Sequence, residues 1–195
     1  MVCFTLYVFD RTGACLAYRE WLRPKPVSRG AGTDADDRRQ MFGLLWTLAN
    51  ACAALDPTAD PRPYLGAPRR LGAGSRLHSF TAAGCYKLHY LESASGLRVA
   101  LSTSPGAGDL RAALADLHAE VVAPFLARNP LGARGFAEAA ESAERAAAAA
   151  AAAGRRRPPA EANDPNGAAE GALATEPFFE AVDAFLRARG LLQQQ

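Results

Sequence analysis

A chain of 195 residues, 49% of them hydrophobic, carries enough apolar surface for one core of ordinary domain size. Its 22 basic and 20 acidic residues leave a formal charge of +2, too weak a field to hold a nucleic-acid backbone or an anionic bilayer by charge alone. No apolar stretch approaches the roughly 20 residues of a membrane span, and Cys3, Cys15, Cys52, Cys85, His78, His89 and His118 show neither C-x-x-C nor metal-ligand spacing, so buried reduced thiols and no metal or cofactor are expected.

The first predicted elements form a hairpin. Cys3-Phe4-Thr5-Leu6-Tyr7-Val8-Phe9 is a run rich in aromatic and β-branched residues, which suit a pleated, half-buried surface. Asp10-Arg11-Thr12-Gly13 supplies a turn acceptor and a residue tolerant of positive φ, and Ala14-Cys15-Leu16-Ala17-Tyr18 answers as the second strand. The first strand is apolar on both faces, which places it in the sheet interior; Arg19 and Glu20 mark the second as an edge guarded by charge. No basic leader precedes the run, so the expectation is a chain that stays on the cytosolic side.

Arg23-Pro24-Lys25-Pro26 stops the second strand, and Val27 to Gly32 reads as a loop. A helix is predicted from Thr33 or Asp34, where either side chain can accept from first-turn amides, to Asp56-Pro57. Asp36 and Asp37 fall where the helix dipole favours negative charge. Met41, Leu44, Leu48, Cys52 and Leu55 recur at helical spacing as one apolar strip, and Phe42, Leu45, Trp46 and Ala49 form a second beside it. A helix lying on one sheet needs only about 100° of apolar surface. The second strip therefore points either to deeper burial, with Trp46 covering the rim of the core, or to a partner, and Phe42, Leu45, Trp46 and Ala49 are the candidate interface residues.

Pro57 to Ser75 has four prolines, three glycines and no apolar period, the mark of a loop. Leu77 to Thr81, Tyr86 to Glu92 and Leu97 to Thr103 read as three further strands, broken by Ala82-Ala83-Gly84 and Ser93-Ala94-Ser95-Gly96. Alternation sends Tyr86, Leu88 and Tyr90 to one face and Lys87, His89 and Leu91 to the other. His89 reads as a satisfied surface or rim residue, with no acidic or sulfur partner at ligand spacing.

Ser104-Pro105-Gly106-Ala107-Gly108 leads into a helix from about Asp109, whose core face is Leu110, Leu114, Leu117, Val121 and Phe125. Pro124 should kink or loosen its last turn, and Asn129-Pro130-Leu131 ends it. Strand, Gly-x-Gly and helix superficially resemble a dinucleotide fingerprint, but Arg111 holds the third glycine position and no strand follows to complete a βαβ unit. There is no Gly-x-Ser-x-Gly elbow, no H-E-x-x-H and no G-x-x-x-x-G-K. An enzyme with its own active site is disfavoured.

Ala137 to Ala153 is alanine with scattered charge, a helix by propensity that offers no large side chain to bury. Arg155-Arg156-Arg157 and the Pro, Asn and Gly stretch after it read as a solvated linker. Thr175-Glu176-Pro177 is an N-cap with proline in the first turn, and Phe178, Val182, Phe185 and Leu186 give the last helix one stripe with which to dock.

Strand, strand, helix, three strands, helix, helix resembles the order of longin domains. Leu6 to Gly13, Tyr18-Arg19-Glu20-Trp21, Tyr86 to Glu92, Gly96-Leu97-Arg98-Val99 and Asn129-Pro130-Leu131 are similar, in the same order, to motifs of the subunit 1 family of the trafficking protein particle (TRAPP) complex. Where that family has a Thr-Asp pair after the last strand and a Pro-Thr-Gly turn before it, this chain has Thr103-Ser104 and Ala94-Ser95-Gly96.

The resemblance implies an α+β longin, profilin-like fold: a five-stranded, largely antiparallel sheet with one helix on one face and two on the other. It implies a single domain over residues 1–191, with a loop insertion at 57–76 and an alanine-rich insertion at 137–174. It also implies a non-catalytic subunit of a vesicle tether that acts as a Rab guanine nucleotide exchange factor in ER-to-Golgi transport. The partners would be other TRAPP subunits and, through the assembled complex, a Rab GTPase. The location would be cytoplasmic, peripheral to endoplasmic reticulum and cis-Golgi membranes, with no cofactor. The alternatives are another longin adaptor of the clathrin-adaptor small-chain type, a SNARE regulatory domain, whose heptads and anchor are missing, and a nucleotide-binding enzyme built on Gly106-Ala107-Gly108.

Overall fold

The computed structural model describes residues 2–22, 34–55, 76–82, 84–128 and 175–192. In chain order the elements are β1 (Cys3–Phe9), β2 (Cys15–Glu20), α1 (Asp34–Ala54), β3 (Ser79–Ala82), β4 (Tyr86–Glu92), β5 (Arg98–Thr103), α2 (Arg111–Leu117), a π turn (His118–Val122), α3 (Ala123–Arg128) and α4 (Glu176–Ala188). The strands form one sheet in the order β2-β1-β5-β4-β3, every pairing antiparallel. β1 is interior as its sequence predicts, and β2 and β3 are the edges. The expectations for the loop at 57–75, the alanine-rich insertion, the arginine triplet and Asn129-Pro130-Leu131 lie outside the described residues.

Alternation along the strands divides the core in two. Leu6 and Val8 of β1, with Val99 and Leu101 of β5, face Leu114, Leu117, Val121 and Val122 of the second helical segment and Phe178, Val182 and Leu186 of α4. Tyr7 and Phe9, with Leu88 and Tyr90 of β4 and Ala100 of β5, face Leu45 and Ala49 of α1. The period of two in an extended chain makes both layers from the same strands. Each large apolar side chain so buried contributes about 1.5–3 kcal/mol, which is why both faces must be covered.

The hairpin turn is built around Asp10. Its Oδ1 accepts from the backbone N–H groups of Thr12 (2.8 Å), Gly13 (2.7 Å) and Ala14 (2.9 Å), the local bonding that makes Asp a turn former. Gly13 sits at φ +101°, and a Cβ there would lie 2.7 Å from Cε1 of Phe42. Glycine is thus required both by the backbone conformation and by the close approach of α1.

Proline 124 acts through the turn before it. A proline inside a helix has no N–H to donate and crowds the carbonyl four residues back. The chain answers with the π turn, in which the Ala123 N–H donates to His118 O, one residue wider than an α-helical bond. α4 begins as its sequence predicts, with extended Thr175 followed by Pro177. Thr175 caps through its carbonyl, which accepts from the N–H groups of Phe178 (3.1 Å) and Phe179 (3.2 Å), and its side chain makes no cap bond.

Three expectations are corrected. His89 is no rim residue: it is 2% exposed, in the layer under α2, with Nε2 and Thr103 Oγ1 sharing a hydrogen bond of 3.1 Å. Cys3 and Cys15 are buried thiols outside any disulfide, but Cys52 is half-buried and Cys85, in the β3–β4 turn, is exposed. Arg19 is not a free guard of the β2 edge, because it is paired with Asp183 of α4 at 3.1 Å. For His89 and Arg19 the reason is the same: an element distant in sequence lies over the position.

Candidate functional site

The candidate residues lie on α1, and their fates follow from helical rotation. A helix turns by roughly 100° per residue, so the neighbours of a residue aimed at the sheet fall on opposite flanks. Leu45 is that residue, 0% exposed; Leu44 at 39% and Trp46 at 38% are the two flanks. The buried line runs between the two predicted strips. It takes Leu45 and Ala49 from one, and Met41, Phe42, Leu48 and Cys52 from both pack beside them. Leu55, at the helix end, is 81% exposed. Of the four candidates, Leu45 and Ala49 are consumed by this chain's own core and cannot be offered to a partner.

Phe42 is also committed internally. Its ring meets Phe9 edge-on at 5.5 Å, and the Arg98 guanidinium lies over it at 5.2 Å. Arg98 is fixed in turn by Glu92 at 3.2 Å and by a bond to the Asp10 carbonyl at 3.3 Å. These contacts anchor the Phe42 flank, which Trp46 continues one turn on, over Phe9 and Arg98. Leu44, with Met41, Asp37, Gln40 and Tyr7, lines a shallow open depression on the β1 side. Besides Leu55 at the helix end, Trp46 and Leu44 are the large apolar side chains that α1 leaves to solvent, and they lie on opposite flanks.

A second feature is absent from the sequence reading. Asp183, buried on α4, accepts from the Trp21 indole N–H at 2.8 Å and from Arg19 at 3.1 Å, with Arg187 one turn on at 3.8 Å. Arg19 also lies over the Phe179 ring at 5.2 Å. Nothing local in the sequence signals this network, since its members are joined only by the fold.

The end of the sheet nearest α2 is electrostatically shaped. Lys87 donates to the carbonyls of Ala107 (2.8 Å) and Gly108 (3.1 Å), so this glycine turn turns acceptors toward a lysine. Burial, assisted by the charge of Lys87, lowers the His89 pKa from 6.5 to about 4, with Asp109 opposing the shift. His89 is consequently neutral at physiological pH. Asp109, held by hydrogen bonds from Arg111, is lowered to about 2. Burial lowers His118 as well, and raises the Cys3 thiol to about 11. Among the described residues no group of three or more His, Cys, Asp or Glu is placed to hold a metal, and no helix is long and apolar enough to cross a membrane.

An antiparallel sheet in the order β2-β1-β5-β4-β3, with α1 on one face and two helical segments on the other, defines an α+β protein of the longin type. The Sybindin-like family profile matches residues 3–140, and the chain belongs to that family. Trafficking protein particle complex subunit 1 of Rattus norvegicus is 30% identical over 132 residues, which span 67% of this chain and 79% of the rat protein. The Homo sapiens protein of that name is 29% identical over the same spans. The one from Dictyostelium discoideum is 22% identical over 132 residues, covering 68% of this chain and 82% of its own length. The profile match ends before α4, so the latch through Asp183 lies beyond it.

Proposed function

We propose that this chain is a non-catalytic longin subunit of a TRAPP complex, serving a vesicle tether that promotes nucleotide exchange on a Rab GTPase in ER-to-Golgi transport. The observation that carries the reading is the similarity, over two thirds of the chain, to proteins named as subunit 1 of that particle in animals and in an amoeba. Exchange requires no acid, base or nucleophile from this subunit. A complex promotes it by binding the nucleotide-free GTPase more tightly than the GDP-bound form, because only differential affinity moves such an equilibrium. The subunit supplies a rigid two-layered body, and Trp46 on the outer flank of α1 is its contact with a neighbouring subunit. It resides in the cytoplasm, at endoplasmic reticulum and cis-Golgi membranes, through the complex, as one longin domain over residues 1–191.

Affinity purification of the tagged full chain, followed by identification of its partners, tests the reading. Co-purification with other TRAPP subunits, and a GDP release rate on a Rab that falls when this subunit is omitted from the assembly, support it. A chain that purifies alone from cells containing those subunits overturns it.

A further inference from the structure

The Leu44 flank of α1 repeats by heptads. Asp37, Met41, Leu44, Leu48, Ala51 and Leu55 follow one another at alternating steps of four and three residues, the spacing of a coiled-coil seam. At 1.5 Å per residue the line runs roughly 27 Å along the helix. Met41 and Leu48 lean inward onto the layer between α1 and the sheet. The outer side is open, with Leu44 39% exposed, Leu55 81% exposed and Ala51 exposed. The Leu55 N–H still donates to Ala51 O at 3.0 Å, so the helical register holds to the last residue of the seam. A helix serving only the sheet needs no large apolar side chains so far round its surface.

The depression on this flank has the form that such a seam offers. Asp37, Gln40, Met41 and Leu44 line it together with Tyr7. Those four stand at i, i+3, i+4 and i+7, the set that makes the hole for one side chain of a facing helix. Its volume, about 390 Å³, leaves room for a large apolar side chain. Tyr7 is held in place, stacked on Phe9 at 5.8 Å and against Tyr18 at 5.0 Å. Charge is placed at one end: Asp37 lies in the first turn of α1, while Gln40, Thr47 and Ala54, which flank the seam on its solvent side, carry none.

Resting on the reading of the chain as a complex subunit, we infer that this flank seats an amphipathic α-helix of a neighbouring subunit. The occupant carries an apolar heptad seam of its own. One large side chain enters the hole beside Tyr7, the next ones pack between Leu44, Leu48, Ala51 and Leu55, and a Lys or Arg meets Asp37. The two helices run antiparallel at about 20°, because a cation is favoured in the last turn of its own helix and Asp37 stands in the first turn of α1. A single charged position in an apolar seam fixes register, and the uncharged flanking positions leave that task to Asp37. An extended segment does not fit, since its period of two cannot follow holes set by alternating steps of three and four.

An arginine scan along α1 tests the inference in the full-length chain co-expressed with the other TRAPP subunits. Leu44→Arg and Ala51→Arg, in the seam, should each weaken association about tenfold or more, while Thr47→Arg and Ala54→Arg, facing solvent, should stay within about twofold. Arginine at exposed helical positions keeps its charge in water, so melting temperatures should not move. Should Leu44→Arg lower the melting temperature, the fully exposed Ala51→Arg decides alone. Asp37→Lys should weaken association as the seam variants do, and an undiminished association overturns the cation opposite Asp37. Assembly that tolerates Ala51→Arg overturns the helix seat and leaves the subunit reading standing. Equal losses at positions 47, 51 and 54 overturn a helical occupant. Self-association of the free chain that Ala51→Arg abolishes gives the flank to a second copy and overturns a heterologous partner. If the wild-type chain joins no assembly, the subunit reading falls and the helix seat with it.

Discussion

The Trp21 indole N–H donates to Asp183 at 2.8 Å, joining the end of β2 to α4 across 162 positions. The same carboxylate receives Arg19 at 3.1 Å. Asp183→Ala leaves the indole without its acceptor, and should cost about 1–3 kcal/mol. Asp183→Asn keeps a carbonyl for Trp21 and should cost less. Urea midpoints at constant slope measure both, and a midpoint equal to wild type for Asp183→Ala would remove the latch as a source of stability.

Gly13→Ala forces a side chain onto φ +101° and within 2.7 Å of the Phe42 ring. The backbone strain alone is about 1–3 kcal/mol. Adding Phe42→Leu should recover the steric part, so the double variant is less destabilised than the sum of the singles. Strict additivity would contradict the contact.

Leu45 and Trp46 are neighbours with opposite expected behaviour. Leu45→Ala opens the layer between α1 and the sheet and should cost about 2–5 kcal/mol. Trp46→Asp alters an exposed flank and should leave stability within about 0.5 kcal/mol, while reducing co-purification of neighbouring subunits. Trp46→Asp with normal folding and undiminished co-purification would remove Trp46 from the interface.

His89 makes stability depend on pH in a defined direction. Its pKa is about 4 folded against 6.5 for the ordinary group, so the unfolded chain binds the extra proton first as pH falls. The stabilisation is fully present above about pH 6.5 and is lost as pH falls through the folded value, in total about 3 kcal/mol. His118, lowered by burial, acts in the same sense. Unfolding free energies at pH 7 and pH 5 should differ less in His89→Gln than in wild type. An unchanged difference would show that His89 does not carry the dependence.

The thiols should divide by exposure. Cys85 is exposed while Cys3 and Cys15 are buried, and burial holds the Cys3 thiol protonated up to about pH 11. A thiol-specific reagent at pH 7.5 should label Cys85 in the native protein, and Cys3 and Cys15 only after denaturation. Rapid native labelling of Cys3 would mean that α4 opens readily.

What the sequence by itself determined is everything local periodicity encodes. The hairpin around Asp10 and Gly13, the alternating faces of β4, the loosening at Pro124 and the stripe of α4 all follow from spacing within one element. Family motifs such as Leu6 to Gly13 and Tyr86 to Glu92 were legible too, because they lie on those elements. Depth and partnership were decided only by tertiary structure. Two apolar strips on α1 cannot say which is innermost, and the answer, a line through Leu45 between them, depends on where the sheet lies beneath. Alternation gave His89 its face but not its burial, which comes from the helical segment folded over it. Arg19 read as an edge charge until α4 brought Asp183 to it. Period is a property of neighbours along the chain, whereas burial and pairing belong to residues that only the fold brings together.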